Sequence, residues 1–365
     1  MPSTTPATSD KLFFTRSTTL SNSGNNGGRP TRITDTDLLF NTLALPATDR
    51  INGARRLRKL AFGTIAGDDT ESDYIFSNPV LFSLYYDLPN YYVFFLTHGA
   101  TLEQQFDAKQ SDIPVNTAGV PTGRLYGFGY LTQSATLGAS TVTIDARRGD
   151  YKPFQTGDLL VFSQSYWSTT GGSPRWQITK GATGSEFYEF ASATSVSYLG
   201  DVATIQLAQP LNNDIRKQSF ISACIPLGEE ITNHAGTVTV TRGSGNSNNG
   251  NFDATTYPIV VHPAGGVAQK WTLSFVSNFA YNVIGDTLGS ITSGNVSSDC
   301  VPINPANNKP YFTLPSAGWT GTFASGDTVT FYTFTQQVVA WEYIEVPANT
   351  PPASNTFINR SVSSG

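Results

Sequence analysis

Apolar and polar residues alternate in short runs over most of the chain. Thr141-Val142-Thr143-Ile144, Val202-Ala203-Thr204-Ile205-Gln206-Leu207 and Trp271-Thr272-Leu273-Ser274-Phe275 each set an apolar side chain at every second position. That period belongs to a half-buried strand. Such runs succeed one another at 125–131, 141–144, 159–162, 175–179, 187–190, 196–198, 202–207 and 220–227. A second series lies at 237–241, 258–262, 271–276, 281–284, 311–314, 328–334 and 338–346. Breaks of roughly 8–12 residues between strand starts predict barrels or sandwiches.

One pattern occurs twice. Residues 141–162, TVTIDARRGDYKPFQTGDLLVF, and 310–331, PYFTLPSAGWTGTFASGDTVTF, each carry an alternating run, a Gly-bearing loop, Phe-x-x-Gly-Asp and a further run. Each copy is expected to be a hairpin or a pair of neighbouring strands. Gly-Asp before a strand is also ordinary turn chemistry, because Gly tolerates positive φ and Asp bonds nearby backbone N–H groups. Both readings stand at this point. Between 243 and 250 the sequence Gly-Ser-Gly-Asn-Ser-Asn-Asn-Gly forms a loop that no apolar packing explains.

The first third is mixed. Residues 48–61 predict a helix, with Thr48 as cap and Ile51, Ala54, Leu57 and Ala61 on one face. It holds the densest positive cluster of the chain, Arg50, Arg55, Arg56, Arg58 and Lys59. That cluster is either a docking face for an acidic partner or for DNA, or a solvated helix face. Apolar, aromatic-rich strands are expected at 74–76, 80–86 and 91–96, and a second helix at 101–109, capped by Thr101 and Gln104. The fold expected is mainly β: an N-terminal arm (1–37), a small α+β unit (38–122), two β-sandwich or β-barrel-like domains (123–235 and 236–346) and an extended tail (347–365).

Composition changes the picture in one respect. Charged residues make up 13% of the 365, about half the usual share, whereas aromatics reach 12%. A surface so short of ionic groups suits burial against other subunits, whose contact centres are depleted of charge and rich in aromatics. The net charge of −5 argues against direct nucleic-acid binding. No apolar run approaches the ~18 residues of a membrane helix, and the N-terminus does not read as a signal peptide. Cys224 and Cys300 are too few for a disulfide framework or a zinc motif.

Catalytic chemistry finds little support. His98, His234 and His262 have no metal-ligand spacing, and Gly-x-Ser-x-Gly, P-loop and dinucleotide motifs are absent. The carboxylate pairs Asp68 with Asp69, Glu229 with Glu230 and Glu342 with Glu345 are candidates by proximity alone. No catalytic, cofactor or metal residue is assigned. Trp167, Trp176 and Trp319 are candidate platforms for sugar rings, the competing carbohydrate-binding reading.

Two patches carry a resemblance. Leu38-Leu39-Phe40-Asn41 with Asp49-Arg50 and Gly53-x-x-x-Leu57-Arg58-Lys59-Leu60, and farther on Trp271-Thr272-Leu273-Ser274-Phe275, Lys309-Pro310-Tyr311-Phe312-Thr313-Leu314 and Gly326-Asp327-Thr328-Val329-Thr330-Phe331, are similar to virion structural proteins of contractile-tailed, Mu-like bacteriophages. The resemblance implies a non-enzymatic virion component made in the host cytoplasm. It would assemble as a homo-oligomeric ring at the neck or collar with portal, connector or tail proteins; baseplate, capsid-decoration and fibre-associated roles are the alternatives. On that expectation residues 2–28 clasp neighbours and the cluster Arg50, Arg55, Arg56, Arg58 and Lys59 docks on an acidic connector.

Overall fold

Strands dominate, as the alternation predicts. A computed structural model describes residues 5–6, 12–16, 47–64, 74–77, 80–86, 92–163, 165–168, 175–178, 188–226, 230–231, 233–335, 337–350 and 357–362. The first unit contains helix α1 (Ala47–Asn52), strands β1 (Ala54–Thr64) and β2 (Tyr92–Leu96) and helix α2 (Leu102–Asp107). Next come β3 (Phe128–Leu131), β4 (Thr141–Asp145), β5 (Leu159–Ser163), β6 (Tyr188–Leu199), β7 (Val202–Leu207) and β8 (Phe220–Ala223). The last group is β9 (Thr239–Thr241), β10 (Gln269–Phe275), β11 (Ala280–Gly285), β12 (Gly289–Asn295), β13 (Thr328–Phe334) and β14 (Gln337–Val346).

The middle strands close a six-stranded antiparallel barrel in the order β6-β7-β4-β3-β8-β5, with β5 returning to β6. Alternation decides what fills it. Val142, Ile144, Ala203, Ile205 and Leu207 fall at every second position and are buried in one cluster with Leu160, Phe162, Phe154 and Ile221. Each large side chain of this kind contributes roughly 1.5–3 kcal/mol by leaving water.

Beyond it, β13-β10-β11-β12 form a sheet, and β9 adds to the free side of β13 together with the short strand His234–Ala235. Trp271, Leu273, Phe275, Tyr281, Val283, Val329 and Phe331 make its inner face. They pack on Phe252, Ile259, Tyr311, Phe312, Leu314 and Phe323, supplied by the strand pairs Asn251–Phe252 with Trp319–Thr320 and Val260–Val261 with Phe312–Thr313. This is a sandwich with a strongly aromatic core; the Phe275 and Phe323 rings stack with centroids 4.0 Å apart.

The first sheet runs Leu12–Arg16, β1, β14, β2. Its third member, which the sequence groups with the last β series, pairs residue for residue with β1 from Ala54 opposite Val346 to Gly63 opposite Gln337. Helix α2 wedges between this sheet and the sandwich. Its buried Phe106 meets Phe334 at 5.3 Å, and the Tyr332 hydroxyl donates to Asp107. The expected cap is present: Thr101 Oγ1 accepts from the Gln104 N–H, while Gln104 Oε1 reaches back one residue farther than a capping box, to the Ala100 N–H.

Three expectations are corrected. The helix over 48–61 stops at Asn52, because Gly53 takes φ +77° and sits against Val346 and Ala348, and the rest of the segment pairs as β1. Neither copy of the repeat is a hairpin: β4 and β5 are separated in the barrel by β3 and β8, and Phe312–Thr313 lies in a different sheet from β13. Runs 187–190 and 196–198 belong to one long strand, β6, bent by a bulge between Ala193 and Ser195. The polar strand β12, GSITSGN, has no apolar alternation to announce it.

Candidate interaction site at the seam of sheet and barrel

The basic cluster is a strand feature, and strand geometry sends successive side chains to opposite faces. Opposite β14, Arg58 faces Glu342 and Arg55 faces Glu345 in register. Arg58 and Glu342 form an ion pair with both side chains buried. Lys59 is 2% exposed and donates from Nζ to the Phe106 carbonyl at 2.5 Å and the Ala108 carbonyl at 3.0 Å, at the end of α2, with the Trp341 ring 5.7 Å away. Arg56 is held by Asp49 Oδ2, 2.9 Å from Nε and 2.5 Å from Nη2. Arg50 lies half-buried in α1. The five residues therefore do not share one basic face: Arg58 and Lys59 are internal, and Arg55, at 41%, is the most exposed of the paired arginines.

Glu345 is where the first sheet meets the barrel. Its carboxylate accepts from Arg55 Nη2 at 3.1 Å and from the Tyr151 hydroxyl at 2.8 Å, and pairs with Arg148 Nη1 at 3.1 Å. Arg148 and Tyr151 belong to the loop and single 3-10 turn that follow β4. The Arg148 guanidinium also clamps Asp150 through two 3.0 Å bonds and lies 4.2 Å from the Tyr151 ring. Burial alone would lower the Arg148 pKa, but the Asp150 bond and the Glu345 charge raise it above its ordinary value. Burial, then the charge of Glu345, raises Tyr343. Burial also raises Tyr151, reinforced by its bond to Glu345.

Beside this network an open cleft of about 410 Å³ is lined by Arg55, Arg56, Leu57, Gln110, Val115 and Tyr343 among others. Arg55 also donates from Nη1 to the Ala118 carbonyl at 2.5 Å. Both guanidiniums of the cleft are already occupied by carboxylates of the chain itself, so the wall is polar with little uncommitted positive charge.

No protein-family model matches the chain, and no curated protein matches it. Function must be read from the residues.

The twice-used turn is more regular than the alternatives left open by the sequence. Gly157 and Gly326 both take φ +91°. Each following Asp returns its carboxylate to the N–H three residues back, Asp158 to Gln155 at 2.7 Å and Asp327 to Ala324 at 3.0 Å. Each turn also locks to a neighbouring strand by a pair of backbone bonds, with Ala193 of β6 in one copy and Phe275 of β10 in the other. Each Asp faces an arginine, Arg124 at 2.5 Å and Arg242 at 3.4 Å. The loop 243–250 finds its reason here: Asp327 Oδ1 accepts from the Gly243 N–H and from Asn246 Nδ2, both at 2.9 Å.

Other candidates are scattered. His262 Nε2 lies 2.8 Å from Thr313 Oγ1, and the His234 ring is 5.0 Å from Phe334. Cys224 and Cys300 are buried and unbridged; burial raises both thiols, least compatible with a nucleophile at Cys224, where the Asp158 charge adds to the effect. Trp319 is half-buried among Phe252, Phe275, Tyr281 and Phe323, a core position and not a platform. Trp167 and Trp176 occupy facing register positions of the two-stranded pair Ser165–Ser168 and Arg175–Ile178. Asp68, Asp69 and Glu229 lie outside the described residues, as does most of the stretch 1–37. Within that stretch Leu12–Arg16 pairs with β1 of the same chain. Among the described residues no His, Cys, Asp and Glu group has the makings of a metal site, and no helix is long and apolar enough to cross a membrane.

Proposed function

We propose that the chain is a non-enzymatic structural subunit of a tailed-bacteriophage virion, assembling as a ring of copies at the neck or collar against portal, connector or tail proteins. The observation that carries this reading is large apolar surface left outside on a chain only 13% charged. Asp49, Arg58, Lys59, Glu189, Asp327, Glu342 and Glu345 are all buried, while Ile51, Leu137, Leu199, Val276 and Phe279 are each more than half exposed. Exposed large apolar side chains, with part of the small ionic complement taken inside, suit a chain whose exterior is covered on assembly. Glu345 ties the first sheet to the barrel, bound by two arginines and a tyrosine.

The test is the native mass of the purified full chain, together with its position in the particle by imaging of labelled virions. Large rings at the head-to-tail junction are expected. A monomer at micromolar concentration, or label on fibres only, would overturn the proposal. A carbohydrate-binding role has one observation in its favour, the facing Trp167 and Trp176; retarded migration in a polysaccharide gel that W167A/W176A abolishes would favour it instead.

A further inference from the structure

We infer that copies of this chain join by edge-to-edge strand pairing within the sandwich sheet, β12 of one copy adding to β9 of the next; this rests on the assembly reading and specifies its contact. The sheet β9-β13-β10-β11-β12 ends in two strands that each pair on one side only among the described residues. An open edge is a template for another chain, and proteins that must remain monomeric blunt it with Lys, Glu or Pro, with a bulge or by keeping the edge strand very short. Here β9 is short and β12 is bulged, but neither edge strand carries a Lys, Glu or Pro. Between Asp286 and Asp299 no residue is charged, and β9 with its flank 236–241 reads Gly-Thr-Val-Thr-Val-Thr. The first charge after it, Arg242, is turned inward to Asp327 and the Gly250 carbonyl.

Geometry selects the partner. All neighbours in the sheet are antiparallel, so β9, β10 and β12 run in the same direction. A second copy placed by rotation about an axis along the strands continues the sheet with β12 parallel to β9, a heterologous contact of the kind that builds rings when the rotation closes. The alternative, β12 against β12 across a two-fold axis, is disfavoured by the register shift opposite Val283 and Ile284, which leaves Ile291 as the extra residue in mid-strand. Two copies would then bring kink against kink. Against β9 only one strand is kinked, and its regular stretch of four residues, 292–295, is long enough to pair the three of β9. The facing residues are alike in chemistry: Thr239 and Thr241 on one edge, Thr292 and Ser293 in the regular stretch of the other, all exposed. Hydroxyl meets hydroxyl, and no unpaired charge is buried.

The full-length chain with Thr241→Cys and Ser293→Cys, or Thr239→Cys and Ser293→Cys, is oxidised under native conditions and compared with the single variants. Disulfide-linked species beyond the dimer in a double variant, and none in the singles, are expected. Ser293→Lys and Thr241→Lys, which put a charge on each edge and leave the inner face alone, should each weaken assembly at least tenfold by analytical ultracentrifugation, with unchanged near-UV circular dichroism. Covalent dimers from Ser293→Cys alone would mean two-fold pairing and overturn the inference. Large assemblies that neither cross-link nor respond to the lysines would overturn it while sparing the assembly reading; a monomeric wild type would remove both.

Discussion

At residues 154–158 and again at 323–327 the chain makes the same turn, with a buried Phe at its start, a Gly at φ +91° and an Asp reaching back three residues. The charge states of the two aspartates nevertheless move in opposite directions. Burial is the largest influence on Asp158 and raises its pKa against the pull of Arg124. At Asp327 burial acts the same way but is outweighed by the N–H groups of Gly243 and Ala324 and the Asn246 amide, which bring it down to about 2. The local motif thus fixes a backbone shape, and the loop laid over it fixes whether the acid is content as an anion. One turn is a packing corner; the other is the anchor of an eight-residue loop.

The largest expected contrast is in stability. Asp327→Ala leaves three donors and Arg242 without their acceptor and should cost about 3–4 kcal/mol in denaturant unfolding. Asp158→Ala removes a carboxylate that burial already disfavours, and about 2 kcal/mol is expected. Equal losses would show that the overlying loop contributes nothing. The glycines should behave alike: with no close neighbour at either ideal Cβ position, Gly157→Ala and Gly326→Ala each face only the positive φ, at about 1–2 kcal/mol. A difference above 1 kcal/mol between them would break the equivalence of the two turns. The smallest effect is in acid. A depressed native pKa gives stability that is complete above the unfolded value of 3.8 and disappears as pH falls toward 2, so Asp327→Asn should flatten the loss of stability in that window. Asp158, raised, has the opposite sign: its contribution is greatest in acid and declines as pH climbs through its native pKa, so Asp158→Asn should steepen the acid loss. Stability curves from pH 5 to pH 2 that coincide for both variants would contradict this assignment.

Much of the architecture was legible in alternation. Val142, Ile144, Ala203 and Ile205, and later Trp271, Leu273 and Phe275, are inward where a two-residue period puts them. What local pattern could not supply was the partner. Residues 54–61 satisfy a helical face as well as a strand, and the choice follows from Gly53 and from pairing with β14, far along the chain. Polar segments were equally opaque: nothing apolar marks 243–250 as a folded loop, because its organiser is a carboxylate about 80 residues later. The seam network was missed for the same reason, since Arg55, Arg148, Tyr151 and Glu345 share no spacing that a linear search would notice.

The place of β14 between β1 and β2 governs the order in which the molecule can be made. Arg55 and Glu345, paired in the finished sheet, are 290 positions apart. Emerging from the ribosome, β1 and β2 must wait for their shared neighbour, whereas the barrel strands, all within 128–223, are complete much earlier. Nascent chains therefore carry a half-built first sheet, with the lysine and arginine of its middle still wet, until translation is nearly over. A premature stop before residue 337 would release a polypeptide with a closable barrel and a sheet that can never be finished, and cellular quality control would meet it at that sheet.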